Sequence, residues 1–290
     1  MAFDPYGIPG TAVVTGASSG IGAEYARRLA GHGWRLVLVA RRAGRLEDLA
    51  ARLRAGTGSR VETLTADLGR EEDLARVAGR VAGGDVDLLV NNAGVNGYGP
   101  FAEVDPGLLA RVVAVNTLAP TVLARAAVPG MLERGRGAVV NVASMLAFAG
   151  SLPPGALPHR AVYGGTKGYV VTFSRTLAAE LAGTPVAVQV LCPGLTATEF
   201  HLARGEEPVA GEEELVHDEG GMPPGDVVTA SLAALRSGET VCVPGLVEAD
   251  AVERLRTAEL ALRTGTGPSL APRYTAVEPG PGSGTPRAGR

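Results

Sequence analysis

The sequence predicts an α/β fold in which one doubly wound, mostly parallel sheet of seven strands carries helices on both faces. Short apolar runs alternate with amphipathic stretches along most of the 290 residues. Most of the short runs are continuously apolar, as expected for parallel strands that are covered on both sides. Alternation of this kind indicates right-handed βαβ units joined in a single sheet.

Periodicity places the individual elements. The runs that predict strands span residues 11–15, 35–40, 60–65, 86–91, 138–142, 186–191 and 240–243. The first amphipathic stretch puts Ile21, Tyr25 and Leu29 on one helical face and stops at Gly31. The predicted helices span residues 20–30, 45–54, 71–81, 106–133, 162–182 and 223–236.

Composition narrows the classes of function. A hydrophobic content of 46% is enough for a full core, and a net charge of −3 without a basic block predicts no nucleic-acid partner. The N-terminal residues do not form a signal peptide, and no uncharged apolar run reaches membrane-spanning length, so we expect a cytoplasmic protein without a membrane partner. Two cysteines, Cys192 and Cys242, are too few for a disulfide framework or a metal site, and we expect reduced core residues and no bound metal.

Domain organisation follows from where the alternation stops. Strand–helix alternation continues to about residue 263, which predicts one domain of residues 1–263. Residues 264–290 are too rich in Gly and Pro to pack and are predicted to be a disordered tail. A second irregular segment, residues 198–225, contains several glutamates, and a loop of this length inside a domain is either functional or mobile.

The turn after the first strand carries three glycines in the pattern Gly-x-x-x-Gly-x-Gly. Glycines allow the backbone to approach a pyrophosphate, and the N-terminus of the following helix supplies N–H donors and positive potential. Any tight strand-to-helix turn can use such glycines, but this turn is the first βα turn of an alternating chain. The sequence therefore predicts a dinucleotide coenzyme in contact with Gly16, Ser18, Ser19, Gly20, Ile21 and Gly22.

Lys167 is the only lysine among 27 basic Lys and Arg residues. It follows Tyr163 by four positions, which on a helix places both side chains on one face, one turn apart. An ammonium close to a phenol favours the phenolate and lowers its pKa. Arginine, a wide planar fork, does not replace a compact ammonium at such a site. The alternative is a single lysine remaining on the surface.

The order of these motifs resembles that of the short-chain dehydrogenases/reductases, in their compact single-domain subtype. The resemblance covers about residues 8–262 and implies a Rossmann-type fold. The motifs that carry it are the glycine turn, Asn91 to Gly94, Ser144, Tyr163 with Lys167, and Pro193 with Gly194.

The resemblance implies four catalytic residues. Tyr163 is implied as the general acid in carbonyl reduction and the general base in alcohol oxidation. Ser144 is implied to polarise the substrate oxygen, and Lys167 to hold the nicotinamide ribose and depress the pKa of Tyr163. Asn116 is implied to hold a water that relays protons through Lys167. In the simpler alternatives, Ser144 is an ordinary serine at a strand end and Asn116 a buried side chain satisfied by the backbone.

The resemblance also implies coenzyme contacts beyond the glycine turn. Asp67 and Leu68 are implied at the adenine, although Asp67 could instead be a solvated carboxylate at a helix start. Thr196 and Thr198 are both candidates for the nicotinamide carboxamide, and the choice between them stays open. The remaining implied contacts are Asn92, Ala93 and Gly94 beside the adenosine, and Pro193 and Gly194 beside the nicotinamide.

Coenzyme choice depends on the end of the second predicted strand. An acidic residue there binds both ribose hydroxyls and repels a 2′-phosphate. This chain has Arg41 at that position, followed by Arg42, and a guanidinium can bind a phosphate bidentately. The sequence therefore favours NADP(H) over NAD(H), with Arg42 and Ser18 as further candidates. In the alternative, Arg41 is a generic surface arginine.

The chain departs from the family in one segment. Ser144 and Tyr163 are 19 positions apart, more than the family usually has, and residues 151–160 account for the excess. Three prolines stiffen this insertion, which we expect to overhang the substrate. His159 has no evident orienting partner and is expected to be a solvated loop residue. The substrate itself does not follow from the sequence.

These observations predict an NADP(H)-dependent oxidoreductase acting on a small carbonyl compound or secondary alcohol. The alternative from another class is a catalytically silent dinucleotide-binding protein that senses redox state or scaffolds partners. A third hypothesis keeps the fold and changes the reaction to dehydration or epimerisation. The resemblance further implies a homodimer or homotetramer that pairs through its long helices.

Overall fold

The computed structural model describes residues 2–153, 157–202, 221–248 and 250–274. Met1–Gly245 forms one compact unit and Leu246–Arg290 a second. The predicted domain end at residue 263 falls inside the second unit. Residues 275–290 of the predicted tail and the glutamate-rich stretch of residues 206–214 lie outside the described residues.

Seven parallel strands form one sheet in the first unit. Their bounds are β1 Thr11–Thr15, β2 Arg35–Ala40, β3 Val61–Thr65, β4 Val86–Asn91, β5 Gly137–Val142, β6 Val186–Leu191 and β7 Val241–Cys242. The order across the sheet is β3-β2-β1-β4-β5-β6-β7, and every pairing is parallel. The predicted fold class is confirmed. Because the order reverses between β1 and β4, a crevice opens there at the carboxyl ends of the strands.

Helices cover both faces of this sheet. The helices of the first unit are α1 Gly20–Gly31, α2 Ala43–Thr57, α3 Glu71–Val81, α4 Pro106–Val113, α5 Ala119–Glu133, α6 Ala161–Glu180 and α7 Pro224–Ser237. One further helix, α8 (Ala251–Thr264), belongs to the second unit. The predicted helix over residues 106–133 is not uniform, because a π-helical turn, Ala114–Leu118, separates α4 from α5.

The two faces of the sheet bury separate apolar clusters. Neighbouring side chains in β1 alternate between them, with Val14 packing towards α1, α2 and α7, and Val13 towards α3 and α5. Both residues are fully buried. Alternation of this kind explains why the strands are apolar at consecutive positions, since neither face meets water.

The ends of α2 differ most from the prediction. The helix begins at Ala43 and continues to Thr57, and Gly58 follows it with a φ of 71°. A left-handed glycine at this position closes the last turn by hydrogen bonding back to the helix. The predicted end at residue 54 was too early because the amphipathic pattern fades before the glycine.

The sequence also predicts that the protein has no membrane partner. Within the described residues, the segment Pro106–Glu133 is long and apolar enough to span a membrane, and 39% of its most apolar 18-residue stretch is buried inside the protein. Core helices of soluble proteins share these properties, so the absence of a membrane partner stays a prediction.

Cys192 and Cys242 are buried free thiols, and burial raises the pKa of each to about 12. Such thiols stay protonated and unreactive at neutral pH.

Candidate active site

A cleft of about 730 Å³ lies at the carboxyl ends of the strands. It runs from the end of β2, past the glycine turn between β1 and α1, to the ends of β5 and β6. All the site residues expected from the sequence line this cleft except Gly22 and Asn116, which lie directly behind its wall. The sequence motifs therefore converge on one place.

The glycine turn has a backbone that only glycine tolerates. Gly16 and Gly20 have φ values of 65° and 53°, in the left-handed region. A Cβ on Gly22 would lie 2.5 Å from the carbonyl oxygen of Gly16. Ser19, the residue that precedes α1, makes no side-chain cap to that helix. The N–H groups of the first turn can therefore bind phosphate oxygens, and the turn fits a dinucleotide pyrophosphate.

The turn is held by a residue that the sequence analysis missed. The hydroxyl of Thr15 accepts hydrogen bonds from the backbone N–H groups of Asn92 and Ala93, at 3.0 Å each. The side chain of Asn92 donates in return to the carbonyl oxygens of Thr15 and Gly16, at 2.9 and 3.2 Å. Asn92 therefore fixes the end of β4 to the glycine turn.

Asn91 has a different role from its neighbour. Its amide nitrogen donates to the Asn141 side chain at 2.8 Å and to the Pro120 carbonyl at 3.3 Å. Asn141 in turn donates to Ser174 on α6 at 2.9 Å. This buried chain of polar groups ties β4 and β5 to the helix that carries Tyr163. The sequence analysis did not identify Asn141 or Ser174, because neither residue belongs to a recognisable motif in its own strand or helix.

Tyr163 lies on α6 and is only 4% exposed. Its ring meets the ring of Tyr98 edge-on at 5.2 Å between centroids, and the ring of Phe200 lies 5.7 Å away. Burial raises the pKa of Tyr163, the neighbouring Tyr98 phenol adds to the rise, and the Ser144 hydroxyl opposes it. The lowered pKa expected from Lys167 is therefore not found. The sequence analysis did not single out Tyr98.

The position of the Lys167 ammonium explains why the pKa of Tyr163 is not lowered. Its Nζ donates to the Val142 carbonyl at 2.8 Å and lies 5.7 Å from the centre of the Tyr163 ring. The side chain is 4% exposed, and burial lowers the pKa of Lys167 to about 8. The ammonium is thus buried beside the phenol but directed at a backbone carbonyl. The alternative of a surface lysine is wrong.

Asn116 lies in the π-helical turn between α4 and α5 and is 1% exposed. Its side-chain oxygen accepts from the Val95 N–H at 3.0 Å, and its nitrogen donates to the Val95 carbonyl at 2.9 Å and to Thr166 at 3.2 Å. The amide therefore links the loop after β4 to α6. This geometry matches the alternative of a backbone-satisfied side chain, and the implied water relay stays a prediction. Isolated π turns are frequent at functional sites.

The end of the cleft nearest the ends of β2 and β3 is charged. Asp67 accepts from Arg111 at 2.6 Å and from the Gly69 N–H at 3.0 Å. Partial burial opposes ionisation of Asp67, but these hydrogen bonds and the nearby charges of Arg111 and Arg41 keep its pKa below the ordinary value. Asp67 is thus a paired carboxylate in the cleft wall. Arg111 lies 44 positions away and was missed.

Arg42 lies beside Arg41 at the end of β2. It donates to the hydroxyls of Ser18 and Ser19 at 3.0 and 2.7 Å, and to a carboxylate oxygen of Glu199 at 2.8 Å. Arg45 binds the same carboxylate at 2.8 Å. Two arginines and two serines thus form a pocket with the hydrogen-bonding capacity that a phosphate needs.

Apolar and aromatic side chains line much of the cleft that contains Tyr163. Among the described residues these include Val95, Tyr98, Met145, Leu146, Leu157, Pro158, Leu195 and Phe200. Leu157 and Pro158 belong to the predicted insertion, whose residues 154–156 lie outside the described residues. His159 is exposed and does not line the cleft, as expected from the sequence.

The insertion is anchored by Arg160, which is only 9% exposed. Its guanidinium donates to the carbonyls of Ala149, Leu152 and Pro158, at 2.6, 3.0 and 3.0 Å. The carbonyl of His159 accepts from the Gly99 N–H at 3.1 Å, which joins the insertion to the loop after β4. Arg160 therefore holds the described residues of the insertion, of which Leu157 and Pro158 line the same cleft as Tyr163.

Within the described ranges, no group of three or more His, Cys, Asp or Glu side chains is placed to hold a metal ion. The fold instead presents a cleft at the reversal of strand order, and this cleft ends at the buried Tyr163 and Lys167 and the half-buried Ser144. Together the fold and the site define the class of dinucleotide-dependent oxidoreductases.

Comparison with known proteins places the chain within that class. Residues 10–208 match the family model described as short chain dehydrogenase. The chain belongs to the short-chain dehydrogenase family. A very-long-chain 3-oxoacyl-CoA reductase from Podospora anserina is 36% identical over 205 residues, which cover 69% of this chain and 58% of the relative. The chain spans about three-fifths of the length of the first curated relatives that it matches.

Solved structures are similar over more of the chain. A short-chain dehydrogenase from Sphingobium yanoikuyae in complex with NADPH has a TM-score of 0.83 and 37% identity, covering 92% of this chain and 100% of that chain. A bulky-bulky ketone specific alcohol dehydrogenase from Comamonas testosteroni has a TM-score of 0.79 and 34% identity, covering 91% of this chain and 98% of that one. Solved relatives include complexes with NADPH and with NAD. These relatives give no support to the sensor or scaffold alternative.

Proposed function

We propose that this protein is an NADP(H)-dependent oxidoreductase that interconverts a ketone or aldehyde with the corresponding alcohol. The observation that carries the proposal is the composition of one continuous cleft. Arginines at the end of β2 lie at one end of it, and Tyr163, Ser144 and Lys167 lie at the other. A phosphate-binding end and a proton-transfer end in one cleft suit a reaction between a phosphorylated dinucleotide and a carbonyl.

Each part of the cleft has a role towards the coenzyme. The glycine turn and the first turn of α1 would hold the pyrophosphate, and Arg41 with Arg42 would hold the 2′-phosphate. Asp67 would bind the adenine, and Lys167 the nicotinamide ribose. The nicotinamide, when bound, supplies or accepts the hydride.

Proton transfer is the work of the chain itself. The Ser144 hydroxyl would donate a hydrogen bond to the substrate oxygen and polarise it. In reduction, the Tyr163 hydroxyl would give its proton to that oxygen, and in oxidation the phenolate would take the proton of the alcohol. Because burial raises the pKa of Tyr163, the phenol is protonated at neutral pH. The protonated phenol is the form that can donate a proton to the carbonyl oxygen in reduction.

The coenzyme preference follows from charge. Solved relatives of this family bind NADPH in one case and NAD in another, so the fold does not decide between them. Two adjacent arginines at the end of β2 support NADP(H), because a guanidinium binds the 2′-phosphate and gains little from ribose hydroxyls.

The substrate end supports a neutral, apolar carbonyl compound. Aromatic and aliphatic side chains line the cleft together with Tyr163, and they come from three segments, the loop after β4, the insertion and the residues after β6. Burying a charged substrate against such walls is costly unless the charge is paired. The Comamonas relative, which is described as specific for bulky-bulky ketones, agrees with this class of substrate.

We also propose a cytoplasmic homodimer or homotetramer. Large apolar side chains are exposed on α4, α5, α6 and the turn between α4 and α5, and these are Val113, Leu118, Leu132 and Tyr169. A second copy of the chain would cover them, since apolar surface favours burial. Light scattering of the purified protein measures this assembly directly.

The central experiment mixes purified protein with NADPH or NADH and a panel of apolar ketones, charged keto acids and aldehydes, followed at the nicotinamide absorbance. We expect turnover with apolar ketones and a kcat/KM at least about tenfold higher with NADPH, which corresponds to ~1.4 kcal/mol. Tight NADPH binding without turnover of any carbonyl compound would instead support the sensor alternative. Turnover confined to keto acids would overturn the substrate class.

A further inference from the structure

Three consecutive residues after β6 have side chains in the cleft. Each of them lies at a different part of the proposed coenzyme site. We call Thr198, Glu199 and Phe200 the strap. The side chain of Thr198 packs against the glycine turn, and a Cβ on Gly20 would lie only 2.9 Å from its methyl group. The first residue of the strap thus covers the turn proposed to hold the pyrophosphate.

Glu199 occupies the arginine pocket. One carboxylate oxygen accepts from Arg42 at 2.8 Å, and Arg45 binds both oxygens at 2.8 and 2.9 Å. Arg42 is the same guanidinium that binds the Ser18 and Ser19 hydroxyls. A carboxylate seated on a guanidinium uses the donors that phosphate oxygens use. Glu199 therefore engages the group proposed to bind the 2′-phosphate.

Phe200 lies at the opposite end of the coenzyme site. Its ring is 5.7 Å from the Tyr163 ring, and one ring carbon lies 3.6 Å from the position a Cβ on Gly94 would take. The Nζ of Lys167 is also 3.6 Å from that position. The phenyl ring thus lies among the residues proposed to hold the nicotinamide ribose.

Hydrogen bonds hold the strap in this position. The buried Asn96 side chain donates to the Phe200 carbonyl at 2.9 Å. The residues just before the strap are paired with Met222, which donates to Leu195 at 2.9 Å and accepts from Ala197 at 3.0 Å. The strap is therefore an ordered segment whose side chains contact the cleft.

We propose that the strap is an internal competitor of the coenzyme and that Glu199 sets the discrimination between NADPH and NADH. The inference rests on the proposed function, because it assumes the coenzyme site. To bind, NADPH must break the ion pair between Arg42 and Glu199 and then place its 2′-phosphate beside the Glu199 carboxylate. NADH carries no 2′-phosphate, so Arg42 can keep Glu199. Phe200 opposes both coenzymes alike, because both carry the same nicotinamide ribose.

Competition of this kind raises an apparent Kd by a factor equal to the reciprocal of the fraction of molecules in which the site is open. Removing the charge of Glu199 should therefore tighten NADPH alone, whereas removing the ring of Phe200 should tighten both coenzymes. The ratio of the two dissociation constants separates these effects, and it is independent of catalysis.

The test is calorimetric titration of the full-length wild type, Glu199→Gln, Phe200→Ala and a control, Glu133→Gln, with NADPH and with NADH. Glu133 is an exposed carboxylate at the end of α5, so its variant removes the same charge away from the cleft. For Glu199→Gln we expect NADPH to bind about threefold to tenfold more tightly and NADH to stay within about twofold, the range for a partly exposed ion pair. For Phe200→Ala we expect both constants to fall together with an unchanged ratio.

Titration with adenosine 2′,5′-bisphosphate, which has the 2′-phosphate but no nicotinamide, adds a second measurement. It should bind more tightly to Glu199→Gln and equally to Phe200→Ala and wild type. Unchanged or weaker NADPH binding by Glu199→Gln, or an equal gain in Glu133→Gln, would overturn the inference. A wild type that binds neither coenzyme refutes the proposed function itself, whereas wild-type binding with unchanged variants refutes only the strap.

Discussion

The Nζ of Lys167 lies beside the ring of Tyr163, 5.7 Å from its centre, while its hydrogen bond goes to the Val142 carbonyl. The helical spacing of four residues brings the two side chains together, as the sequence predicts. Burial acts on both in opposite directions, raising the pKa of the phenol and lowering that of the ammonium to about 8. Both shifts disfavour the charged form of each group.

Tyr163→Phe should remove at least about 99% of turnover, since general acid catalysis is usually worth ~100-fold or more. The phenyl ring keeps the contacts with Tyr98 and Phe200, so the cleft should stay intact. Calorimetry should give an NADPH Kd within about twofold of wild type, a range of ~0.4 kcal/mol. Residual turnover above about a tenth would exclude Tyr163 as the general acid.

Lys167→Met should abolish turnover yet stabilise the fold at pH 7. The pKa of Lys167 is about 8 in the folded protein against an ordinary 10.5, so the unfolded chain binds more protons between these values. The contribution of Lys167 to the free energy of unfolding therefore rises from pH 8 to 10.5 and is unfavourable below pH 8. The full difference is worth about 3 kcal/mol, and Val142 loses a donor worth about 1 kcal/mol.

We therefore expect the methionine variant to be about 1–2 kcal/mol more stable at pH 7, by the balance of those two effects. Urea unfolding of both proteins at pH 7, 8, 9 and 10 measures the difference, which should shrink as the pH rises. A constant difference across this range would show that Lys167 is not a destabilising buried ammonium.

Arg41→Asp should reverse the coenzyme preference. The carboxylate repels the 2′-phosphate of NADPH and can accept hydrogen bonds from both ribose hydroxyls of NADH. The ratio of kcat/KM for NADPH to that for NADH should fall from at least about tenfold in the wild type to below one, a change of more than ~1.4 kcal/mol. Arg52→Asp, at an exposed position on α2, makes the same charge change outside the cleft and should leave the ratio unchanged. An unaltered ratio in Arg41→Asp would place Arg41 away from the 2′-phosphate.

Arg160→Met should alter substrate binding and leave coenzyme binding unchanged. The substitution removes the donor shared by the carbonyls of Ala149, Leu152 and Pro158, and carbonyls left without a partner cost about 1–3 kcal/mol each where they stay buried. We expect KM for ketones to rise at least about threefold, or ~0.7 kcal/mol, with the NADPH Kd unchanged. The same KM and substrate profile as wild type would mean that the insertion does not shape the pocket.

Sequence patterns could predict the elements of this site that are local in the chain. The glycine turn is one continuous segment, and the left-handed backbone of Gly16 and Gly20 explains why glycine is required there. Tyr163 and Lys167 lie one turn apart on a single helix. Most of the strands were predictable because burial on both faces makes them apolar at consecutive positions, although the edge strand β3 exposes Glu62 and Thr65.

Contacts between distant segments could not be predicted. Glu199 and Arg42 are 157 positions apart, and Thr15 and Asn92 are 77 apart, so no local pattern connects either pair. The π-helical turn that positions Asn116 leaves no apolar period of its own in the sequence. The pKa of Tyr163 depends on its burial, which the spacing to Lys167 does not reveal.

The anchoring of the insertion by Arg160 has a consequence for how this pocket can change. Its acceptors are backbone carbonyls, which every amino acid supplies, so the identity of the side chains at residues 151–153 and 157–159 is not constrained by the anchor. Mutational drift can therefore replace those side chains one at a time without dismantling the loop that presents them. A saturation library at these positions, with Arg160 retained, is the natural starting point for changing which carbonyl compounds the proposed active site accepts.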